Sequence, residues 1–555
     1  MDKRTLVAFV LSFLVLFLWS VFFTPSQQKV TNKHQPSPEQ PHQAPQSHGQ
    51  VPPPKMEVTP KTEQFPVLEK KEISEKIILV DTPLYKAQIS NMGPTIKSFK
   101  LKGYRETIDP SSPLVDLVDP ALRNEFLWIG FSSVISGLNE DAVFETDATA
   151  IKLGRGSSPK VIHFYAETKE GLYVEKDLKV YPNQYRIEVR VRVINQSSQP
   201  VKGRFAAQLK GILPKKKGGY YAPFTGLIAL ADGKIKQLKF KKKKPKKELK
   251  GNLQWVAYQK NYFMCAVVPE AVTDTLFQGI WDPNTGEETG TLIEPPVSVA
   301  PGSEIVHSYA LFLGPRQLTV LKQFGKGLDK AVDFGWTNII AKPLLYALRF
   351  FNKYIHNYGV SIILLTILIK IIFWPLTHKS YKSMKEMQKL QPIMAKIKEK
   401  YKDNREQMNK EMMALYRTYK VNPMSGCLPM IIQIPVFFAL YRILGKAIEL
   451  RHAPFMLWIN DLSAPDRLFH FSFKIPFMAP PYGIPVLTLL MGASMYIQQK
   501  MTPTPGDPTQ AKFMMFLPII FTFMFINFPS GLVLYWLVNN ILSIGQQYRI
   551  QKRPA

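Results

Sequence analysis

The chain has 555 residues, of which 46% are hydrophobic and 20% charged, and its formal net charge is +29. This length leaves room for about three or four domains, and the strongly basic balance points to anionic lipid headgroups or to nucleic acid. No zinc-knuckle, helix-turn-helix or RNP-like string accompanies the charge, which argues against DNA or RNA and favours a membrane surface.

The N-terminal segment begins with an apolar run over residues 6–23, preceded by Lys3 and Arg4. The run is longer than a usual secretory signal core, and no small-x-small cleavage site follows it. We therefore expect residues 1–23 to be an uncleaved membrane anchor with a cytoplasmic N-terminus. Residues 24–72 are rich in proline and glutamine, a composition that predicts a disordered linker.

From residue 73 to residue 320 the hydrophobic pattern has period two. In residues 185–196 the apolar side chains Ile187, Val189, Val191 and Val193 alternate with charged ones, as in a half-buried antiparallel strand. Similar segments separated by turn residues recur along this region. We expect 73–320 to fold as a large β-sandwich.

Two lysine clusters occur in this region. The clusters at 215–217 and 241–247 are typical of solvated loops, and a docking surface for an acidic partner is the alternative.

The chain has two cysteines, Cys265 and Cys427. They are predicted to lie on opposite sides of the membrane, so they cannot pair. We interpret both as small buried apolar residues.

After the sandwich, residues 321–358 predict an interfacial helix region. In 342–356, Leu344, Leu348, Phe351 and Ile355 share one stripe, opposite the basic residues of the same segment. Such a helix lies along a membrane surface.

The remainder, residues 359–550, predicts a helical membrane core. Five apolar segments lie in it, and with the N-terminal anchor they make six spans, which returns the C-terminus to the cytoplasm. The last segment is only 14 residues long, and such a short helix would thin the bilayer around it. The predicted spans cover residues 359–376, 427–446, 483–499, 513–528 and 532–545.

Loop charges test this topology. Twelve Lys and Arg residues lie in the inner loop 377–426, against three in the outer loop 451–482. This satisfies the positive-inside rule, from which a long translocated domain is exempt. The basic residues from Arg316 to Lys353 run against the rule, and only their amphipathic placement accounts for them.

Lys370 is the one charge inside the span 359–376. A charge there costs about 2.5 to 3.5 kcal/mol on insertion scales, so it usually faces a polar cavity within the protein. The alternative is snorkelling, because roughly 9 Å of helix separates Lys370 from the membrane exit. We favour a polar groove.

The inner loop predicts a helical hairpin over residues 379–420, with a turn at Lys402 to Asn404. Apolar residues repeat at 3-4 spacing on both arms. Methionine on such a seam suits a surface that meets many apolar sequences, although the same residues would also hold the two arms together. The candidate residues for such a contact surface are Met384, Met387, Met394, Met408 and Met412.

Several long motifs occur in a recognisable order: WPLTHKSYKSMKEMQKLQP, EMMALYRTYKVNPMSGCLPMIIQIPVFFALYRIL, ELRHAPFMLWINDLSAPD and FPSGLVLYW. In order and spacing they resemble the membrane protein insertases of the YidC/Oxa/Alb family, over the whole chain, in the form seen in Gram-negative bacteria. The resemblance implies a multi-domain membrane protein with a hydrophilic groove that is open to cytoplasm and lipid and has a positive charge in its wall.

The resemblance also implies roles for single residues. Lys370 matches a position where family members usually have arginine, and lysine lacks the five-donor fork of a guanidinium. Thr366 matches the groove threonine of the family. Trp536 stands where many relatives have tyrosine. Gln433, Asn539 and Asn540 are polar residues in apolar segments, and they either line the groove or join helices by hydrogen bonds.

We expect no covalent chemistry, no catalytic residues, no cofactor and no metal, and the chain has no GxxxxGK[ST] nucleotide motif. The resemblance implies nascent inner-membrane proteins, anionic phospholipids, the Sec translocon and a translating ribosome as partners. A small-solute transporter is the alternative, but no pair of interrupted helices in two similar halves supports it. The periplasmic domain of the family resembles carbohydrate mutarotases, yet no acid/base pair can be recognised in this sequence.

Overall fold

The computed structural model describes residues 74–133, 142–168, 171–214, 224–270, 274–419, 421–422, 428–502 and 508–552. The predicted anchor, the predicted linker, the lysines at 215–217 and Cys427 lie outside the described residues.

Residues 77–315 form a β-domain with three sheets. The strands are β1 (Ile77–Asp81), β2 (Tyr85–Ser90), β3 (Ile96–Arg105), β4 (Leu114–Asp116), β5 (Leu127–Ser133), β6 (Ala150–Lys152), β7 (Lys160–Glu167), β8 (Leu172–Val180), β9 (Arg186–Asn195), β10 (Val201–Ile212), β11 (Gly226–Ala231), β12 (Lys234–Gln237), β13 (Lys246–Gly251), β14 (Leu253–Gln259), β15 (Phe263–Pro269), β16 (Thr275–Trp281), β17 (Glu287–Ile293), β18 (Val297–Val299) and β19 (Glu304–Pro315). The strand orders are β4-β3-β2-β1-β6, then β13-β16-β17-β10-β18 with β5 also on β10, then β12-β11-β14-β15-β19-β9-β8-β7. These strands pair antiparallel except for β1 with β6, which are parallel.

Strand β9 shows why these residues form a sheet. The four apolar residues Ile187, Val189, Val191 and Val193 are buried, and the charged residues between them are half-buried or exposed. One charge on the outer face, Arg192, forms an ion pair with Glu175 of β8 and another with Glu304 of β19. Alternation therefore fixes which face enters the core, and the predicted strand is confirmed.

Two further details of the β-domain concern the lysine cluster and the cysteine. Residues 241–244 form a tight exposed turn, as predicted for a solvated loop, but Lys246 and Lys247 belong to β13. Cys265 is a free, buried cysteine, and burial raises the pKa of its thiol to about 12, so it is an inert core residue.

The helices follow the β-domain. They are α1 (Leu318–Phe324), α2 (Asn338–Ile355), α3 (Tyr358–Lys400), α4 (Arg405–Thr418), α5 (Leu428–Lys446), α6 (Val486–Met501), α7 (Pro508–Phe525) and α8 (Ser530–Lys552), with a short hairpin of β20 (Leu468–Phe471) and β21 (Tyr482–Ile484) before α6.

The β-domain and the helices share one hydrophobic core cluster. Trp255 on β14 and Phe312 on β19 belong to the same cluster as Leu321 of α1 and Leu345 of α2, which continues into α5 and α8. The sandwich is therefore packed onto the helical part through α1 and α2, and the two parts are not joined by a free tether.

Helix α2 covers the predicted interfacial helix, and three residues of the predicted stripe, Leu344, Leu348 and Phe351, pack in the core cluster shared with the β-domain. Ala341, Leu345 and Leu348 are buried, whereas Ile355 is exposed. The exposed face carries Ile339, Tyr346, Phe350 and Tyr354, at spacings that place them on one side of the helix. The sequence pattern alone could not show which of two apolar faces meets the protein.

Helix α3 has 43 residues and is about 64 Å long, more than twice a bilayer core of roughly 30 Å. Among the described residues it is the one helix whose length and hydropathy would let it cross a membrane, and Met514–Phe525 is a shorter apolar helix. Ile367, Ile371 and Trp374 are exposed on one side of α3, whereas the side of Thr366 is buried.

The length of the last helix contradicts the prediction of a short final span. Helix α8 has 23 residues and is about 34 Å long, because polar residues after residue 545 continue the helix to Lys552. It has the length of a bilayer core, so a shortened helix gives no reason to expect local thinning.

The loop before α6 is held by two charged residues. Asp466 accepts hydrogen bonds from Trp458 Nε1 (2.6 Å) and from the backbone N–H of Leu487 at the start of α6. Arg467 donates to the carbonyl oxygens of Pro481 (2.9 Å) and Ile526 (2.8 Å). These hydrogen bonds hold the loop against the start of α6 and against the residue that follows α7.

Candidate functional site

The centre of the candidate site is the Lys370 side chain. It is half-buried, and its Nζ donates a hydrogen bond of 2.6 Å to Ser543 Oγ on α8, while Ser543 donates to the carbonyl oxygen of Asn539. No carboxylate lies within 4 Å of Lys370 among the described residues. The lysine thus points between α3 and α8, and its charge has a polar neighbour but no counter-charge among the residues that the structure describes.

Further polar contacts continue along the same interface between α3 and α8. Thr377 and Gln546 hydrogen-bond each other through Oγ1, Oε1 and Nε2, at 3.0 and 3.2 Å. Below them Lys385 Nζ donates to the carbonyl oxygen of Ile550 (3.3 Å). We call this set, from Lys370 to Lys385 on α3 with its partners on α8, the polar seam. It extends over about 22 Å of helix.

Helix α8 also has polar contacts with α6. Asn540 Nδ2 donates to Ser494 Oγ (3.0 Å), and Gln547 Nε2 donates to the carbonyl oxygen of Met501 (2.6 Å). These contacts fit the alternative that Asn540 joins helices. Asn539 is 6% exposed, and its backbone carbonyl accepts the hydroxyl of Ser543 directly beside Lys370.

Thr366 lies one turn before Lys370 on α3 and is fully buried. Its Oγ1 donates to the carbonyl oxygen of Ile362 in its own helix (2.7 Å). Gln433 on α5 is half-buried, and its Nε2 lies 3.4 Å from the hydroxyl of Tyr535. Tyr535 therefore supplies a hydroxyl to this region from the position before Trp536.

Trp536 belongs to an aromatic cluster. Its ring lies 5.0 Å from Phe437 of α5 and 5.1 Å from Phe525 of α7, both in edge-to-face arrangement. Such contacts add about 0.5 to 1.5 kcal/mol each beyond area burial. Trp536 thus packs α8 against α5 and α7. The polar seam lies on another side of α8, between α8 and α3.

The structure adds polar residues that the sequence reading missed, namely Thr377, Ser494, Tyr535, Ser543 and Gln546. A signal for part of this set was present in α8, because residues 539, 543, 546 and 550 recur at spacings of four, three and four and therefore share one helix face. Serine and glutamine near the end of a span are easily taken for residues at the membrane exit. Their burial distinguishes them.

The hairpin methionines divide into two groups. Met387 and Met394 are buried with Leu390 and Val421, and Met412 packs against them, so they hold α3 and α4 together. Met384 packs with Tyr381 and Ile550, which joins α3 to α8 rather than to the other arm. Met408 is half-buried, and Met413, which the spacing did not select, is 52% exposed.

The β-domain contains a histidine–carboxylate pair that sequence reading did not find. His307 Nδ1 lies 2.7 Å from Glu294, and the hydroxyl of Tyr309 donates to the same carboxylate at 2.6 Å. The His307 ring stacks on Phe205 at 4.1 Å. The pair links β19 to β10 and to the end of β17, and each polar group has its partner within the set.

The site has the chemistry of a binding surface. Among the residues that the structure describes, no group of three or more His, Cys, Asp or Glu side chains could hold a metal ion. A half-buried cation with hydroxyl and amide neighbours can receive a carboxylate or a peptide carbonyl group, since it gains the counter-charge that its surroundings lack.

Two family descriptions match the chain. The description "60Kd inner membrane protein" matches residues 350–555, and "YidC periplasmic domain" matches residues 77–347. The two matches together cover residues 77–555 except for residues 348 and 349.

Full-length relatives are similar throughout. A protein named membrane protein insertase YidC from Pelobacter propionicus is 42% identical over 560 residues, which cover 100% of this chain and 99% of that protein. One of the same name from Syntrophus aciditrophicus is 42% identical over 563 residues, with 100% of both chains covered. A solved structure described as an active YidC insertase with the first transmembrane domain resolved is 19% identical and covers 86% of this chain and 93% of that chain, with a TM-score of 0.36. On the two full-length relatives, the chain belongs to the YidC family of membrane protein insertases.

Proposed function

We infer that this chain is a membrane protein insertase of the inner membrane, with a β-rich periplasmic domain. The observation that carries this conclusion is the full-length similarity to insertases at 42% identity. Its substrates are nascent membrane proteins. The transporter alternative receives no support from these relatives.

We propose that the polar seam is the substrate groove and that Lys370 is its charged group. Three observations support this role: the half-buried ammonium group, its hydrogen bond to Ser543, and the absence of a carboxylate within 4 Å among the described residues. A substrate tail with acidic residues would neutralise Lys370 for as long as it stays in the groove. Thr366, Gln433, Asn539 and Asn540 are assigned to the groove wall or to its support.

We propose that the apolar segment of the substrate enters lipid between α5 and α7. These helices meet through aromatic rings, with Phe437 and Phe525 5.7 Å apart, and Trp536 packs on both. Burial of about 20 apolar residues in hydrocarbon supplies the driving free energy without nucleotide hydrolysis. Trp536 is therefore assigned to the exit and not to a polar contact.

We propose six spans with both termini in the cytoplasm, and a cytoplasmic hairpin formed by the end of α3 and by α4. The buried methionines keep the hairpin closed, so capture of substrate is assigned to its outer face, where Met413 is exposed. The basic charge of 377–426 favours anionic phospholipids on that side. The Sec translocon and the translating ribosome are further proposed partners.

Purified protein in liposomes tests the function. We expect a small single-span substrate with an acidic tail to become protected from external protease without ATP, whereas liposomes with no protein should leave it accessible. Uptake of a small solute with no insertion would support the transporter instead. Lys370→Glu in the same assay reports on the groove, because the contact between Thr377 and Gln546 in the seam does not involve Lys370.

A further inference from the structure

A group of basic side chains converges where α5 meets the end of the β-domain. Arg442 Nη1 donates to the carbonyl oxygen of Phe334 (2.7 Å), and Lys446 Nζ donates to that of Asp333 (2.6 Å). From the other side, Arg316 Nη2 donates to the carbonyl oxygen of Ala331 (2.8 Å). Three cations from two distant parts of the chain thus meet one four-residue segment, and we call them the basic joint.

Among the described residues, the three cations of the basic joint outnumber the carboxylates near them. The one nearby carboxylate, Asp333, accepts hydrogen bonds from the backbone N–H of Gly335 and from Asn338 Nδ2. The ion pairs among the described residues include none of the three cations. Three cations and one carboxylate leave a formal excess of two positive charges. Charges in such a place are normally paired, so this arrangement calls for an anion.

The guanidinium group of Arg316 has hydrogen-bond partners for only part of its N–H groups among the described residues. Arg316 is 5% exposed, and its Nε and Nη1 have no hydrogen-bond partner among the described residues. Burial lowers its pKa to about 10 while Asp333 acts in the opposite direction. Arg316 is too deeply buried to touch a ligand at the surface. Its unbalanced charge instead strengthens the attraction of an anion to Arg442 and Lys446, which are both half-buried.

The surface next to the basic joint is apolar and exposed. Trp336 is 62% exposed and Ile339 is 87% exposed, and the Trp336 ring lies 6.1 Å from that of Phe438 on α5. From Ile339 the exposed face of α2 continues through Tyr346, Phe350 and Tyr354. Tryptophan and tyrosine in such a row are typical of the level of lipid headgroups. The expected ligand therefore has an anionic head and an apolar tail.

We propose that the basic joint binds the phosphate of an anionic glycerophospholipid, with Arg442 and Lys446 as donors and with acyl chain against Trp336 and Ile339. The proposal rests on the membrane location that the proposed function requires. The lipid belongs to the leaflet that faces the β-domain. It also accounts for basic residues from Arg316 onward that run against the positive-inside rule, because a bound phosphate offsets part of their charge.

The test is native mass spectrometry of the full chain, purified from membranes into detergent with equal amounts of phosphatidylglycerol and phosphatidylethanolamine. We expect wild type to retain phosphatidylglycerol and the double variant Arg442→Gln with Lys446→Gln to retain at least fivefold less. The matched control is Lys342→Gln with Lys353→Gln, which removes two charges from α2 outside the joint and should retain the wild-type amount. Equal retention by the two double variants would overturn the proposal.

Two further measurements keep the outcome clear. Arg442→Lys with Lys446→Arg conserves charge and should keep the lipid. Phosphatidylglycerol should also raise the melting temperature of wild type, and the rise should grow with the concentration of the lipid. No such rise would also count against the proposal. Displacement of the lipid by millimolar inorganic phosphate would identify a site for free phosphate and overturn the lipid assignment. Insertion activity is measured for the same variants. A variant that loses the lipid but inserts normally would leave the proposed insertase function unaffected.

Discussion

At the scale of single residues, the charge of Lys370 leads to the first prediction. We expect Lys370→Arg to retain insertion of a substrate with an acidic tail, and Lys370→Glu to lower its rate roughly thirtyfold. Two unit charges about 8 Å apart at an effective dielectric constant of about 40, between that of a protein surface and that of water, interact by about 1 kcal/mol. Reversing one charge turns this attraction into an equal repulsion, a change of about 2 kcal/mol that corresponds to that factor. The measurement is the rate of protease protection in liposomes, with a neutral-tailed substrate run in parallel.

The matched control is Ser543→Ala, which removes the hydrogen-bond partner of Lys370 but keeps the charge. It should lower the rate by about twelvefold at most, because a single net hydrogen bond contributes only about 0.5 to 1.5 kcal/mol, less than the change caused by charge reversal. Full activity of Lys370→Glu on the acidic-tailed substrate would exclude the electrostatic role.

Lys176 leads to a prediction about stability and pH. It is 3% exposed on the core face of β8, with its ammonium 4.6 Å from the Phe144 ring centroid, beside a cavity of about 10 Å³. Burial lowers its pKa from 10.5 to about 7. Between these two values the unfolded chain binds a proton that the folded chain does not, so stability rises with pH across that window.

We therefore expect Lys176→Met to raise the melting temperature at pH 7 and to reduce the rise of melting temperature between pH 7 and pH 9. Methionine keeps the volume of the side chain and removes the cost of a buried charge. Lys179→Met, on an exposed position of the same strand, is the control and should keep the pH dependence of wild type. Identical pH profiles for Lys176→Met and wild type would contradict this account.

At the scale of elements, the hairpin prediction follows from where its methionines lie. Met384 and Lys385 contact Ile550 of α8, whereas the residues from Met387 onward contact α4. We expect replacement of 387–419 by a short Gly-Ser linker to leave the helices folded and to slow insertion several-fold, because capture of substrate and of anionic lipid is weakened.

The comparison for that variant is a deletion that starts at residue 380, which also removes the contacts with Ile550. It should accumulate poorly in membranes, whereas the deletion from residue 387 should reach wild-type levels. Insertion is measured at equal protein in liposomes. A normal rate for the deletion from 387 would show that the hairpin does not capture substrate.

At the scale of the whole molecule, the shared core bears on how far the β-domain can be removed. Leu318 and Leu321 of α1 belong to the same cluster as Trp255 of the β-domain, so removing 75–310 exposes them to water. We expect that variant to insert simple substrates at no less than half the wild-type rate but to melt at a lower temperature, since the seam and Lys370 lie after residue 358.

Extending the deletion through residue 355 also removes Leu345 and Leu348 of α2, which pack in the cluster that includes α3 and α5. That second variant should lose insertion as well as stability. Both are compared at matched membrane levels, and an equal loss of activity in the two would show that the β-domain is part of the working core.

The sequence by itself determined the features that depend on neighbours along the chain. The alternation in β9 and the turn before α4 were predicted at the residues where the structure has them. Both patterns arise because a strand or a helix repeats the same backbone geometry, so that burial on one face appears as a period in the sequence.

Only the tertiary structure decided which faces meet. Lys370 and Ser543 are 173 residues apart, and no local period reveals that pairing. The same is true of the packing of Met384 on Ile550 and of the apolar stripe of α2 on the protein. It is also true of the basic joint, where Arg316 and Lys446 reach one segment from distant parts of the chain. Side-chain periodicity shows that a face is apolar or polar, but the partner of that face follows from the packing of whole elements against one another.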